Sequence, residues 1–142
     1  MNITPEWLTG FVEGEGAFTF SVNNGHAVPQ FSIRQHEDQK DIVLAIQSFL
    51  RAGSVYDCNA RGRTQKSCYL RIARKDDLPD VVAHFKAYPF RGTQKQKVFA
   101  LWCRLVDEYL SANSNDALLT QYAAELSLAQ LRPRGFRKRL KV

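Results

Sequence analysis

The dipeptide Asn24-Gly25 constrains this chain more than any other pair of residues, because it stands between two segments that alternate with period two. Both central residues of a tight hairpin turn need positive φ, which Asn and Gly accept and most other residues resist. Ala17-Phe18-Thr19-Phe20-Ser21-Val22 on one side and Gln30-Phe31-Ser32-Ile33-Arg34 on the other therefore read as an antiparallel hairpin. In that reading Phe18, Phe20, Val22, Phe31 and Ile33 share one face. The opposite face carries Thr19, Ser21 and Asn23 beside Gln30, Ser32 and Arg34.

The pattern then recurs. Ser54 to Asn59 and Ser67 to Ala73 are strand-like around the loop Ala60-Arg61-Gly62-Arg63, and Tyr56, Tyr69 and Arg71 point outward when Val55, Leu70 and Ile72 point to a core. Each hairpin feeds an amphipathic helix. The first is opened by Asp38, closed by Gly53, and turns Ile42, Ala45, Ile46 and Phe49 inward. The second starts at Asp76-Asp77-Leu78-Pro79 and runs through Val81, Val82 and Phe85. Ahead of both hairpins, Thr4-Pro5 reads as N-cap and first residue of a helix holding Trp7, Leu8, Phe11 and Val12, which Gly14 and Gly16 end. Behind the Tyr88-Pro89-Phe90 break, helices are expected from Thr93 to Leu110 and, capped within Asn113-Ser114-Asn115-Asp116, on to Leu131. The order α-β-β-α-β-β-α-α predicts an α+β fold: one four-stranded antiparallel sheet, helices on a single face, the other face uncovered and polar.

Composition narrows the function. A chain of 142 residues with 44% hydrophobic and 24% charged residues suits one globular domain, here residues 1–131 followed by a basic tail, 132–142. No apolar run approaches the about 20 residues that span a bilayer, and the opening MNITPEWL lacks the basic stretch of a signal peptide, so an intracellular protein with no membrane partner is expected. Cys58, Cys68 and Cys103 are odd in number and form no C-x-x-C pair, which argues against a disulfide framework and a cysteine zinc site. The net charge of +6 is unevenly placed: the tail alone holds six basic residues and no acid, leaving fourteen of each sign elsewhere. Residues 51–75 carry seven basic groups against Asp57, whereas residues 1–33 carry Glu6, Glu13 and Glu15 with no Lys or Arg. Such segregation suits a polyanion-binding face beside a separate acidic site. Ser, Asn, Gln, Arg and Tyr on an uncovered sheet are side chains that read base edges and hold phosphates, and a β-ribbon fits the major groove of duplex DNA.

Leu8-Thr9-Gly10-Phe11-Val12-Glu13-Gly14-Glu15-Gly16 breaks the local rules. A helix C-terminus exposes carbonyls and a negative dipole end, so it favours cations, yet this one carries two glutamates. A divalent cation reverses the sign of that site, because carboxylate and carbonyl oxygens are hard ligands suited to Mg²⁺ or Ca²⁺. Gly10 and Gly14, four apart, leave one helix face bare for a second backbone, and the helix of another copy is its natural partner.

The nonapeptide resembles the motif of the LAGLIDADG homing endonucleases, and further landmarks of that family follow in order. They are Phe31-Ser32-Ile33-Arg34-Gln35, the helix with Asp41, Ile42, Leu44 and Ile46, Gly53-Ser54-Val55, Tyr69-Leu70-Arg71-Ile72, Asp77-Leu78, His84-Phe85, Tyr88-Pro89 and Gln94-Lys95. The resemblance implies an α-β-β-α-β-β-α core with a saddle-shaped sheet, and assigns roles by position. Glu15 corresponds to the acid that binds the catalytic metal, with the Gly14 carbonyl beside it; Glu13 corresponds to the earlier acid, which the family does not use reliably as a ligand. Gln35 resembles the residue that orients the attacking water, and Lys95 the lysine near the scissile phosphate, with Lys97 as the alternative; Arg34 and Lys40 complete a basic pocket. A single motif resembles the homodimeric branch, in which helices meet through Gly10 and Gly14 on a two-fold axis. The implied partner is double-stranded DNA with a near-palindromic site, contacted through Ser21, Asn23, Gln30, Ser32, Arg34, Tyr56, Tyr69 and Arg71. The implied cofactor is Mg²⁺, for which Ca²⁺ or Mn²⁺ substitutes in vitro, with no small-molecule cofactor. Two other functions share the fold: an intron-encoded RNA maturase and a non-cleaving DNA-binding protein.

Overall fold

In the computed structural model of the chain, which describes residues 1–62 and 65–131, helix α1 (Pro5–Glu15) leads into strands β1 (Gly16–Asn23) and β2 (His26–His36). A 3-10 turn (Glu37–Gln39) and helix α2 (Lys40–Leu50) follow, then β3 (Ser54–Cys58), β4 (Ser67–Ile72), α3 (Leu78–Ala87), α4 (Thr93–Leu110) and α5 (Asp116–Gln130). Arg63 and the expected basic tail 132–142 lie outside the described residues.

The fold is α+β, with an antiparallel sheet of order β1-β2-β4-β3. Asn24 and Gly25 both take positive φ, 52° and 77°, as a two-residue turn between right-twisted strands requires. The register sets Phe18 opposite Phe31 and Thr19 opposite Gln30. Pro29, which cannot donate to a ladder, sits in the stretch of β2 that β4 does not reach, since that pairing starts at Phe31 opposite Ile72. The fully buried strand residues Phe18, Phe31, Leu70 and Ile72 all lie on one face, where they meet Leu8 and Val12 of α1, Val43 and Ile46 of α2, and Trp102 and Leu105 of α4. On the outward face no described strand residue is buried.

Two expectations about the core need correction. Val22 points to the helix side but is 67% exposed, because it sits on edge strand β1 next to the turn; Ala27 opposite, on interior strand β2, is buried. Helix α2 buries Val43, Ile46 and Leu50 rather than Ile42, Ala45 and Phe49, and Phe49 is left partly exposed with its ring against His84. The helix begins two residues later than Asp38, after the 3-10 turn, and ends at Arg51 in the left-handed region rather than at Gly53. Gly53 serves the next turn: its φ is +84°, and a Cβ there would stand 2.7 Å from the Arg71 carbonyl oxygen.

Candidate active site

Helix α1 is held by its sequence at both ends. Thr4 caps the start through Oγ1, which accepts from the Trp7 amide, and Pro5 occupies the first turn where no donor is needed. Leu8 and Val12 fix its inner face, and Thr9 Oγ1 donates to the Tyr88 carbonyl at 2.8 Å. The outer face carries the stacked rings of Trp7 and Phe11, with centroids 5.1 Å apart. Gly10 and Gly14 are exposed, and a Cβ on either would meet nothing within 4 Å. At the end of the helix the chain turns straight into β1 at Gly16, where a Cβ would stand 2.5 Å from Val12 Cγ1.

Three elements bring the predicted chemical residues to this end of α1. Gln35, near the end of β2, points to the helix side of the sheet, and its Nε2 donates to Glu15 Oε2 at 3.1 Å and to the Arg34 carbonyl at 3.0 Å. Lys95, in the first turn of α4, donates from Nζ to the Gly16 carbonyl and lies 5.7 Å from the Phe18 ring. Burial of the Lys95 ammonium lowers its pKa, with the Glu13 carboxylate acting the other way. Lys97 is exposed, while Lys95 is half-buried against the motif. Glu15 is solvent-exposed, and the Gly14 carbonyl belongs to the last helical turn, whose carbonyls lack intrahelical donors.

The basic pocket expected of Arg34 and Lys40 is divided. Lys40 Nζ is paired with Asp57 at 2.9 and 3.1 Å, and that ion pair raises its pKa. Arg34 lies on the outward face, its Nη1 donating to Ser67 Oγ at 3.1 Å and its guanidinium 5.0 Å above the Tyr69 ring. There Ser21, Gln30, Ser32, Arg34, Tyr69 and Arg71 line one shallow groove of about 290 Å³. Tyr56 stacks on Tyr69 at 5.1 Å, extending the row towards β3, and Asn23 stands apart at the hairpin tip. Arg71 Nε is buried in this groove with no acceptor among the described residues.

Sequence reasoning missed two features. His36 follows Arg34 on the outward face, and its pKa is raised first of all by its hydrogen bond to Asp38; a His two residues before an Asp was the available signal. Glu13 accepts from the backbone amides of Arg91 and Gly92 at 2.9 and 3.1 Å. A partner 79 residues away left no local trace.

Residues 8–106 match the model of the LAGLIDADG endonuclease family, more than half of the chain. The chain belongs to that family. A probable intron-encoded DNA endonuclease of Mycosarcoma maydis is 30% identical over 95 residues, 66% of this chain. This chain spans about a third of that protein's length. Among solved structures, the homing endonuclease I-TnaI superposes with a TM-score of 0.66 at 25% identity, covering 89% of this chain and 99% of that one. The LAGLIDADG meganuclease I-AabMI, solved bound to uncleaved DNA, gives 0.70 at 28% identity over 86% of this chain and 44% of its own. Among the described residues no helix is long and apolar enough to cross a membrane.

Proposed function

We propose that this LAGLIDADG protein is a site-specific double-strand DNA endonuclease, acting as a homodimer on a near-palindromic site with a divalent cation. The observation that carries the reading is the meeting of Glu15, Gln35 and Lys95 at the end of α1, from three separate elements. The solved relative bound to uncleaved DNA supports DNA as the substrate.

The donors at this end fit Mg²⁺. Glu15 and the Gly14 carbonyl offer hard oxygens, and among the described residues no group of three His, Cys, Asp or Glu could enclose an ion. That incompleteness suits a cation that keeps water ligands and shares substrate phosphate oxygens. Bound there, it would offset the charge that develops on the phosphate and the leaving oxygen. Gln35, whose Nε2 hydrogens are donated to Glu15 and the Arg34 carbonyl, keeps its Oε1 to accept from the attacking water. As the water oxygen bonds to phosphorus it gives up its proton to solvent, the bond to the leaving oxygen breaks and that oxygen takes a proton from solvent, while the Lys95 ammonium, held by the Gly16 carbonyl, offsets negative charge from the protein side.

Binding falls to the outward sheet face, where Arg71 and Gln30 reach base edges while Arg34 and the tyrosines steady the groove wall. Dimerisation falls to the bare side of α1, where Gly10 and Gly14 admit a second backbone and Trp7 and Phe11 supply apolar area. Each copy then offers one Glu15 to one DNA strand.

Selection of cleaved sites from a randomised duplex library in Mg²⁺ tests the reading. Glu15→Gln is expected to abolish cleavage while leaving DNA binding in Ca²⁺ intact, and robust cleavage by that variant removes the site assignment. Tight sequence-specific binding by the wild type without cleavage would make this a DNA-binding protein, and preference for a structured RNA would make it a maturase.

A further inference from the structure

We infer that Glu13, the earlier acid of the motif, is a positioning residue that docks the start of α4 so that Lys95 reaches the end of α1; this rests on the role proposed above for Lys95. Helix α4 brings neither a capping side chain nor an acid to its N-terminus. Its N-cap is Gly92, which makes no side-chain capping bond, and its first turn holds no acid. The leading amides of such a helix and the positive end of its dipole call for an anion. The Glu13 carboxylate supplies one from α1, with Oε1 on the Arg91 amide and Oε2 on the Gly92 amide.

The fit is close at the cap. A Cβ on Gly92 would stand 2.8 Å from Glu13 Oε2, the far end of a flexible side chain, so glycine lets the carboxylate close on this backbone without shifting. Three residues later Lys95 donates to the Gly16 carbonyl, three residues after Glu13 on the other partner. The end of α1 and the start of α4 are thus pinned at two points about one helical turn apart. The two motif acids are two residues apart, so on a helix they project to nearly opposite sides. Glu15 faces Gln35 of β2, whereas both oxygens of Glu13 are spent on the backbone of Arg91 and Gly92, which leads into α4. Glu13 therefore acts through Lys95 and leaves metal binding to Glu15.

Single-turnover cleavage with Mg²⁺ varied distinguishes a positioning residue from a ligand. Glu13→Ala is expected to slow cleavage about 100-fold, as a misplacement of about 1 Å does, with the Mg²⁺ concentration for half-maximal rate unchanged. Lys95→Met added to Glu13→Ala should bring no further loss, because the two act as a unit. Glu13→Gln, which keeps one acceptor, should recover much of the rate. A raised Mg²⁺ requirement in Glu13→Ala, or losses that multiply in the double variant, overturns the inference. Backbone hydrogen exchange at Arg91 and Gly92 reads the docking without cleavage: both amides should be protected in the wild type and exchange faster in Glu13→Ala. Unchanged exchange overturns the inference too. If Lys95→Met cleaves like the wild type, the proposed role of Lys95 fails, and exchange at the two amides separately decides whether Glu13 docks α4.

Discussion

Phe18 is the residue whose removal should cost this fold most for its size. Its side chain is fully buried, and the rings of Trp102, Phe99, Phe31, Phe85 and Phe90 surround it with centroids between 5.0 and 5.6 Å away. These neighbours come from β2, the α3–α4 segment and α4, so the ring packs the strand that leaves the motif against the helix carrying Lys95, beside the hydrogen bonds from Lys95 to the Gly16 carbonyl and from Trp102 to the Thr19 carbonyl. Truncating a buried Phe to Ala costs about 3–5 kcal/mol through lost transfer energy and the cavity left behind. The upper part of that range applies here, because five rings held by one another cannot collapse inward. For a domain stable by about 5–15 kcal/mol, that is a third or more of the total. Phe18→Leu keeps much of the volume and loses the edge-to-face contacts, so about 1–2 kcal/mol is expected. Urea unfolding followed by tryptophan fluorescence, in a Trp7→Phe background so that Trp102 alone reports, measures both, with the slope unchanged if only stability has moved. A loss below about 1 kcal/mol in Phe18→Ala would refute the picture of Phe18 as the hub between sheet and helices.

Gly10→Leu should separate the paired helices and give a monomer in sedimentation at micromolar concentration, with cleavage lost; a wild type that is monomeric with and without DNA sinks the homodimer. Arg71→Ala and Gln30→Ala should each relax base preference at symmetric half-site positions by about 1–3 kcal/mol if the contact is bidentate. Unchanged preference in both would put the wrong sheet face on the DNA. The pKa of His84 is lowered by burial, with the Pro5 backbone and Glu6 opposing. Between its folded value and the ordinary one near 6.5 the unfolded chain binds the extra proton. His84 thus contributes stability above pH 6.5 that is lost as pH falls through its folded value, and thermal unfolding of His84→Gln should show a flatter acid limb.

The elements of this fold were legible wherever the local signal was forced. Asn24-Gly25 admits few alternatives to a two-residue hairpin, and the break at Tyr88-Pro89-Phe90 set the start of a helix whose bounds, Thr93–Leu110, the structure reproduces. The face of α2 was not legible, and the reason is compositional. Between residues 42 and 50 only Gln47 and Ser48 are polar, so apolar side chains run most of the way round and periodicity cannot choose between the stripe with Ile42 and the stripe with Val43. The sheet decides it: β4 brings Leu70 and Ile72 under the helix, and Val43, Ile46 and Leu50 turn towards them. Alternation likewise assigned Val22 to a face correctly but could not tell that an edge strand beside a turn leaves that face uncovered.

The candidate site shows a sharper division. By helix electrostatics alone the glutamates at positions 13 and 15 are equivalent, both unfavourable at the negative end of a helix dipole, and only the family resemblance tells them apart in the sequence. Their environments separate them, because projection to opposite sides of α1 hands each to a different element. Glu13 meets the amides that open α4, where a positive dipole end makes a carboxylate favourable, so the local conflict at the end of one helix is relieved by the start of another. Glu15 meets only the neutral amide of Gln35 and solvent among the described contacts, so the conflict persists there. A fold built for stability alone would place a cation or a neutral residue at that position. Retaining a carboxylate there is consistent with a charge supplied from outside the chain, which the proposed cation would supply.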